Sequence, residues 1–181
     1  MNPTHNPEIV WISVTGDFSS GKTALIHSIS ELDYDYVTFP LNGKGKKREI
    51  SFDLGQLTID DTLILHLYGN PGAYTPFGVL QIEKPVCAGL VVMVDSRLPG
   101  LFGIARYIIA MIEASSPYPF IVAANRQDHP DAWSSEDLRY VLRVPDEVPV
   151  IPCVATDKES AKQVLLTLLY HVRDMLDSDD S

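Results

Sequence analysis

Residues 16–23 read Gly-Asp-Phe-Ser-Ser-Gly-Lys-Thr, and no other stretch of the chain restricts its fold so strongly. Glycines at Gly16 and Gly21 let successive backbone N–H groups turn inward on a polyphosphate. Lys22 brings a cation to the outer phosphates, and the Thr23 hydroxyl is a hard oxygen suited to Mg²⁺. Such a loop needs a buried strand before it and a helix after it. Residues 8–15 (EIVWISVT) are apolar and β-branched enough for the strand, and 22–31 can form a helix whose N-terminus faces the anion. Gly16, Asp17, Phe18, Ser19, Ser20, Gly21, Lys22, Thr23 and Ala24 are therefore the expected phosphate-binding segment.

With 181 residues, 45% of them apolar, the chain is long enough for one domain with a sizeable core. Residues 1–7 and 177–181 are expected to be flexible ends. No apolar run is long enough to span a bilayer. The opening MNPTHNPE has no basic-then-apolar leader, and no lipidation motif is readable at either end, so a cytoplasmic location without a membrane anchor is expected. The net charge of −10 argues against a nucleic-acid-binding surface. Cys87 and Cys153 read as small buried hydrophobes, with a disulfide as the alternative. Lys44, Lys46, Lys47 and Arg48 form a local basic cluster whose plain reading is a solvated loop.

Apolar strand candidates alternate with amphipathic helix candidates, the signature of an α/β sheet with crossover helices. The expected strands are 8–15, 49–54, 62–68, 89–95, 119–125 and 149–155, with a polar, Gly-rich stretch over 32–47. Strands two and three should form an antiparallel hairpin turning at Asp60-Asp61. The runs GLVVMVD and PFIVAAN are continuously apolar, as parallel strands buried on both faces should be. Helices fit 101–114, 134–143 and a last segment ending near 175. Capping boxes at Ser134 and Asp137, and at Thr156 and Glu159, would open the last two.

Six strands, a phosphate loop after the first and a hairpin of the next two resemble the layout of Ras-like GTPases. The fold class expected is thus an α/β P-loop NTPase, a Ras-like six-stranded mixed sheet flanked by helices. Asn125-Arg126-Gln127-Asp128 follows the fifth strand and resembles the Asn-Lys-x-Asp guanine motif, with Arg in place of Lys. A carboxylate at Asp128 can accept both guanine N1–H and N2–H, a donor pair that adenine lacks. Asn125 would bridge base and phosphate loop, and Arg126 can lay its stem and guanidinium plane over the base. Ala155 and Thr156 lie where such proteins reach guanine O6 through a backbone N–H.

The third strand ends Gly69-Asn70-Pro71-Gly72-Ala73. In Ras-like proteins an Asp stands at the position of Gly69 and holds Mg²⁺ through water. The Gly72 amide would bind the γ-phosphate, which makes Gly72, with Lys22, a candidate catalytic residue. Ala73 replaces the Gln that often orients water. With Phe52-Asp53-Leu54-Gly55, Leu67-Tyr68-Gly69-Asn70-Pro71-Gly72, Val94-Asp95-Ser96-Arg97 and Val148-Pro149-Val150-Ile151-Pro152-Cys153, this departure makes nearly the whole chain similar to bacterial Ras-like GTPases of the MglA, Rup and conservon groups. The resemblance implies GTP/GDP switching, Mg²⁺, cytoplasmic or cell-pole work and a roadblock-domain protein partner. Two features depart from those groups as well: Lys46-Lys47-Arg48-Glu49 replaces a threonine-rich stretch, and the Gln is lost.

For the metal, Thr23 would be joined by Asp53 as substitute carboxylate; Asp95 is the alternative, and Thr23 with phosphates and water alone is a third. The 44–48 cluster could also reach the γ-phosphate from a closing loop. The function expected is a guanine-nucleotide-binding switch with slow intrinsic hydrolysis, in which GTP orders 36–50 and 70–84 for a partner to read. The alternative is a pseudo-GTPase scaffold without hydrolysis. An ATP-using kinase of the same fold is a third reading, and it lacks an evident lid or acceptor site.

Overall fold

The computed structural model describes residues 6–32, 35–41, 48–70 and 87–179. Along the chain run β1 (Glu8–Gly16), α1 (Lys22–Ile29), β2 (Asp35–Leu41), β3 (Arg48–Thr58), β4 (Leu63–Gly69) and β5 (Cys87–Asp95). A short 3-10 turn then leads into α2 (Phe102–Ser115), followed by β6 (Phe120–Asn125), α3 (Ser135–Leu142), β7 (Val150–Pro152) and α4 (Lys158–Asp179). One sheet has the order β2-β3-β4-β1-β5-β6-β7. β1 pairs in parallel with β4 and β5, and β6 joins β5 and β7 in parallel. β2–β3 and β3–β4 are antiparallel.

Period-two patterning builds the two layers. Val91, Met93, Ile121 and Ala123 point to one face, where α1 and α4 supply Leu25, Ile26, Val164, Leu165 and Leu168. Their neighbours Leu90, Val92, Val94, Val122 and Ala124 point to the other, against Phe102, Ile108, Ile109 and Ile112 of α2 and Leu138 and Leu142 of α3. Strands buried on both faces have to be apolar throughout, which is why β5 and β6 lack polar alternation.

All six expected strands are present, and a seventh, β2, lies at the sheet edge inside the stretch read as polar loop. Its sequence DYVTFPL holds β-branched and aromatic residues, and its Pro40 is tolerated because an edge strand can spare an N–H. β7 is shorter than expected, ending at Pro152 before the turn over 153–157. The Asp60 turn closes the β3–β4 hairpin: its Oδ1 accepts from Thr62 N–H at 2.7 Å, Thr62 Oγ1 at 2.6 Å and Leu63 N–H at 3.0 Å. Ser134 caps α3, accepting from Asp137 N–H at 3.1 Å. The cap of α4 is Asp157 rather than Thr156: Asp157 Oδ1 accepts from Ser160 N–H at 2.7 Å, so the helix starts one residue later. α4 also continues to Asp179, past the end expected near residue 175.

Candidate functional site

Buried polar residues collect at one end of the sheet. Ser13, Thr15, Asp17, Ser20, Lys22, Asn70, Asp95, Ser96 and Asn125 all lie near or just beyond the carboxyl ends of β1, β4, β5 and β6. In parallel sheets that edge is where loops converge on ligands.

The loop after β1 is shaped by two glycines. Gly16 has φ 145°, and a Cβ there would stand 2.3 Å from the Met93 carbonyl oxygen; Gly21 has φ 101°, and a Cβ there would stand 2.1 Å from Asn125 Nδ2. Both positions exclude a side chain by conformation and by space. Gly21 precedes α1 with no side-chain cap, so the first amides of that helix are open to an anion. Asp17 Oδ1 accepts from Ser19 N–H at 2.9 Å and Ser20 Oγ donates to Asp17 O at 3.0 Å, which hold the loop closed on itself. Phe18 is 93% exposed at the rim.

Lys22 is buried, and its ammonium donates to the carbonyls of Gly16, at 3.2 Å, and of Asp17. Burial lowers its pKa, and the nearby charges of Asp17 and Asp53 oppose that shift without cancelling it. An ammonium so placed gains most from an anion entering the loop.

A cleft of ≈ 530 Å³ opens beside the loop, lined by Phe18, Lys22, Thr23 and Ala24 on one side and by Ser51, Asp53 and Asn70 on the other. Thr23 Oγ1 donates to Asp53 Oδ2 at 2.5 Å. Two hard oxygens thus converge at the mouth of the phosphate loop, a donor set that suits Mg²⁺. Asp53 is paired across the strands with Gly69, and a Cβ on Gly69 would lie 3.1 Å from the Asp53 Cβ. The carboxylate missing from the end of β4 therefore reappears one strand away at almost the same place. Both oxygens of Asp95, the alternative acid, are bonded by Arg97 instead, with Nε donating to Oδ1 at 3.0 Å and Nη2 to Oδ2 at 2.8 Å. Among the described residues no group of three His, Cys, Asp or Glu forms a metal cluster.

Asn125 ties the segment after β6 to the loop after β1. Asn125 Nδ2 donates to Ser20 O at 2.9 Å, and Asn125 Oδ1 accepts from Ala155 N–H at 2.9 Å. The second contact engages the Ala155 amide, whereas no hydrogen bond from the exposed Thr156 N–H is found among the described residues. Gln127 pins the motif from behind through Ser96 Oγ at 3.0 Å and Trp133 O at 2.9 Å. Asp128 is exposed, and no described residue hydrogen-bonds its carboxylate. Arg126 has φ 70° and a half-exposed side chain.

Gly72, Ala73, Lys44, Lys46 and Lys47 lie outside the described residues, as does most of 70–84. The sequence reading passed over Ser51 and Asn70. Ser51 carries a usable signal, since it sits two residues before Asp53 on the same strand and so on the same face; Asn70 owes its place to the end of β4, where its Nδ2 donates to Ser13 Oγ at 3.1 Å. Cys87 and Cys153 are free thiols; Cys153 is buried as expected, Cys87 only half-buried, and burial pushes Cys153 up to about 11. Among the described residues no helix is long and apolar enough to cross a membrane.

Solved structures similar over nearly the whole chain include a small GTPase and a G domain. One is the Arl6 BBS3 small GTPase of Trypanosoma brucei with bound GppNp, at TM-score 0.65 and 16% identity, covering 92% of this chain and 99% of that one. Another is the G domain of the T. maritima FeoB iron transporter, at TM-score 0.67 and 16% identity, covering 91% and 99%. No family model matches the chain, and a search of curated proteins finds no match. The fold is thus that of a Ras-like P-loop NTPase: a mixed sheet flanked by helices, as small GTPases have.

Proposed function

We propose that the chain is a guanine-nucleotide-binding molecular switch of the small GTPase type, with GTP and GDP as ligands and slow intrinsic hydrolysis. The observation that carries the reading is Asn125, whose amide spans from Ser20 of the phosphate loop to Ala155 of the loop after β7. One side chain thereby fixes the phosphate and base subsites relative to each other. The free carboxylate of Asp128 then gives that base subsite its acceptor for N1–H and N2–H.

Lys22 would exchange its carbonyl partners for phosphate oxygens, and an anion there compensates the charge that burial disfavours. The open amides at the start of α1 would hold the same phosphates, joined by the Gly72 amide. Thr23 and Asp53 would hold Mg²⁺, which when bound neutralises phosphate charge. Arg126 would cover one face of the base, with Thr156 and Ala155 beneath its edge. Ala73, in place of a water-orienting Gln, supports slow turnover unless a partner supplies the missing group. The same substitution favours the second reading, a scaffold that binds nucleotide without hydrolysing it. A roadblock-domain protein reading 36–50 and 70–84 in the cytoplasm is the partner that the sequence resemblance suggests.

The test is equilibrium binding of GDP, XDP and ADP to the wild type and to Asp128→Asn. The wild type should prefer GDP, and the variant should shift toward XDP, whose 2-oxo group can accept a hydrogen bond from the new amide. Equal affinity of the wild type for GDP and ADP would sink the reading. Single-turnover phosphate release then separates switch from scaffold.

A further inference from the structure

The carboxyl end of β5 carries a charge arrangement that neither the phosphate loop nor the Thr23–Asp53 pair uses. The Asp95 side chain is 1% exposed. Its Oδ1 accepts from the Arg97 backbone N–H at 3.1 Å and from Arg97 Nε at 3.0 Å, and its Oδ2 accepts from Arg97 Nη2 at 2.8 Å. This two-pronged pairing fixes the plane of both groups. A carboxylate oxygen can accept more than one hydrogen bond, and Arg126 Nε stands 4.0 Å from Oδ2. That Nε is buried and has no hydrogen-bond partner among the described residues, although the rest of the Arg126 side chain is 41% exposed. The strands themselves bring these groups together, since Asp95 is in register with Asn125. The hydrogen bonds that Arg97 donates to Asp95 are the largest cause of its raised guanidinium pKa.

Three charges therefore meet beside the base motif: Arg126, Asp95 and Arg97. Burying a carboxylate is costly unless it is paired, and here its pairing faces the side chain proposed to cover the base. Lysine has no donor partway along its stem, whereas arginine has Nε. The replacement of Lys by Arg at position 126 thus has a counterpart in Asp95.

Resting on the guanine reading above, we infer that Asp95 is a positioning residue for base recognition. Asp95, its plane set by Arg97, anchors the Nε edge of Arg126 so that the guanidinium plane lies over the base. It does not touch the nucleotide itself.

The experiment titrates GDP into the wild type, Asp95→Asn, Arg126→Ala, Arg126→Lys and the two double variants that add Asp95→Asn to each Arg126 change. Asp95→Asn should weaken GDP binding by about tenfold, the scale of one hydrogen bond to a charged group, and adding it to Arg126→Ala should cost nothing further. Arg126→Lys, which keeps the charge but lacks Nε, should be equally insensitive to Asp95→Asn. Unchanged GDP affinity in Asp95→Asn, or additive losses in either double variant, would overturn the inference. So would a loss in Asp95→Asn that tracks a lowered unfolding midpoint, since that marks a merely structural role. The Arg126 side chain is 41% exposed, so Arg126→Lys keeps the test open even where Asp95→Asn fails to fold: wild-type affinity in that variant would mean that Nε contributes nothing. A wild type with no preference for GDP over ADP would remove the guanine reading first, and this inference with it.

Discussion

Gly69 and Asp53 are best understood as one residue's work divided between two strands. An aspartate at the end of β4 would need the space that Ile26 Cδ1 occupies, 2.8 Å from where a Cβ on Gly69 would stand. The neighbouring strand supplies the carboxylate instead, and Thr23 Oγ1 already contacts it. The expected outcome for Asp53→Asn follows from charge. The amide can still accept from Thr23, so GDP affinity in EDTA should match the wild type. The tightening on adding Mg²⁺ should fall by about tenfold or more, the order of one lost charged ligand. Competition titrations with and without Mg²⁺ measure both quantities. A full Mg²⁺ effect in the variant would leave Thr23 with phosphates and water as the metal's only anchors. At this scale the sequence was informative wherever the chemistry is local. The phosphate loop, Asn125 and Asp128 could be placed from spacing alone. Asp95 could not be judged that way: as a lone acid after an apolar strand it read as the alternative to Asp53, and only the tertiary structure shows the Arg97 side chain folded back onto both its oxygens.

Among the elements, the β3–β4 hairpin and α1 form the joint on which the site depends. Restoring the missing acid as Gly69→Asp is expected to damage the protein rather than repair it. The new Cβ meets fully buried Ile26, and the new carboxylate lies beside Asp53. Overpacking of this kind costs about 1–3 kcal/mol, and like charges at close range add to it. Urea denaturation should register the loss, and Ile26→Val in the same chain should recover part of it by removing Cδ1. No loss of stability would mean that α1 can shift away from β4. The elements that the sequence disclosed well are those with long, regular patterns: β1, β5, β6, α2 and α4. β2 was concealed because an edge strand lacks the second-face burial that makes central strands uniformly apolar, and because glycine and lysine follow it. The start of α4 was displaced by one residue because Thr156 and Asp157 are both competent caps, and only tertiary placement of the 153–157 turn selects between them.

For the whole molecule, stability and binding pull Lys22 in opposite directions. Its pKa is lowered in the fold, chiefly by burial, from an ordinary value of 10.5. The unfolded chain therefore binds more protons between the folded value and 10.5, and the nucleotide-free protein should gain stability as pH rises through that window. Below the window the penalty is fully present. Lys22→Met should lack this rise while losing phosphate binding. Comparing the two unfolding curves from neutral pH to 10.5 lets contributions from other groups, such as the raised thiol of Cys153, cancel. Parallel curves would mean that the carbonyls of Gly16 and Asp17 solvate the ammonium as well as water does.

The sequence by itself determined the alternation of strands and helices, the two-faced burial of the central strands and the positions of the Gly16–Thr23 loop and the Asn125–Asp128 segment. Each depends on residues close together in the chain, where periodicity and spacing act directly. Tertiary structure decided which acid faces Thr23, why β4 ends in glycine, which amide Asn125 engages near the start of α4 and what Asp95 contacts. Those outcomes depend on which strands lie side by side and which side chain fills a given space, and no local pattern encodes either.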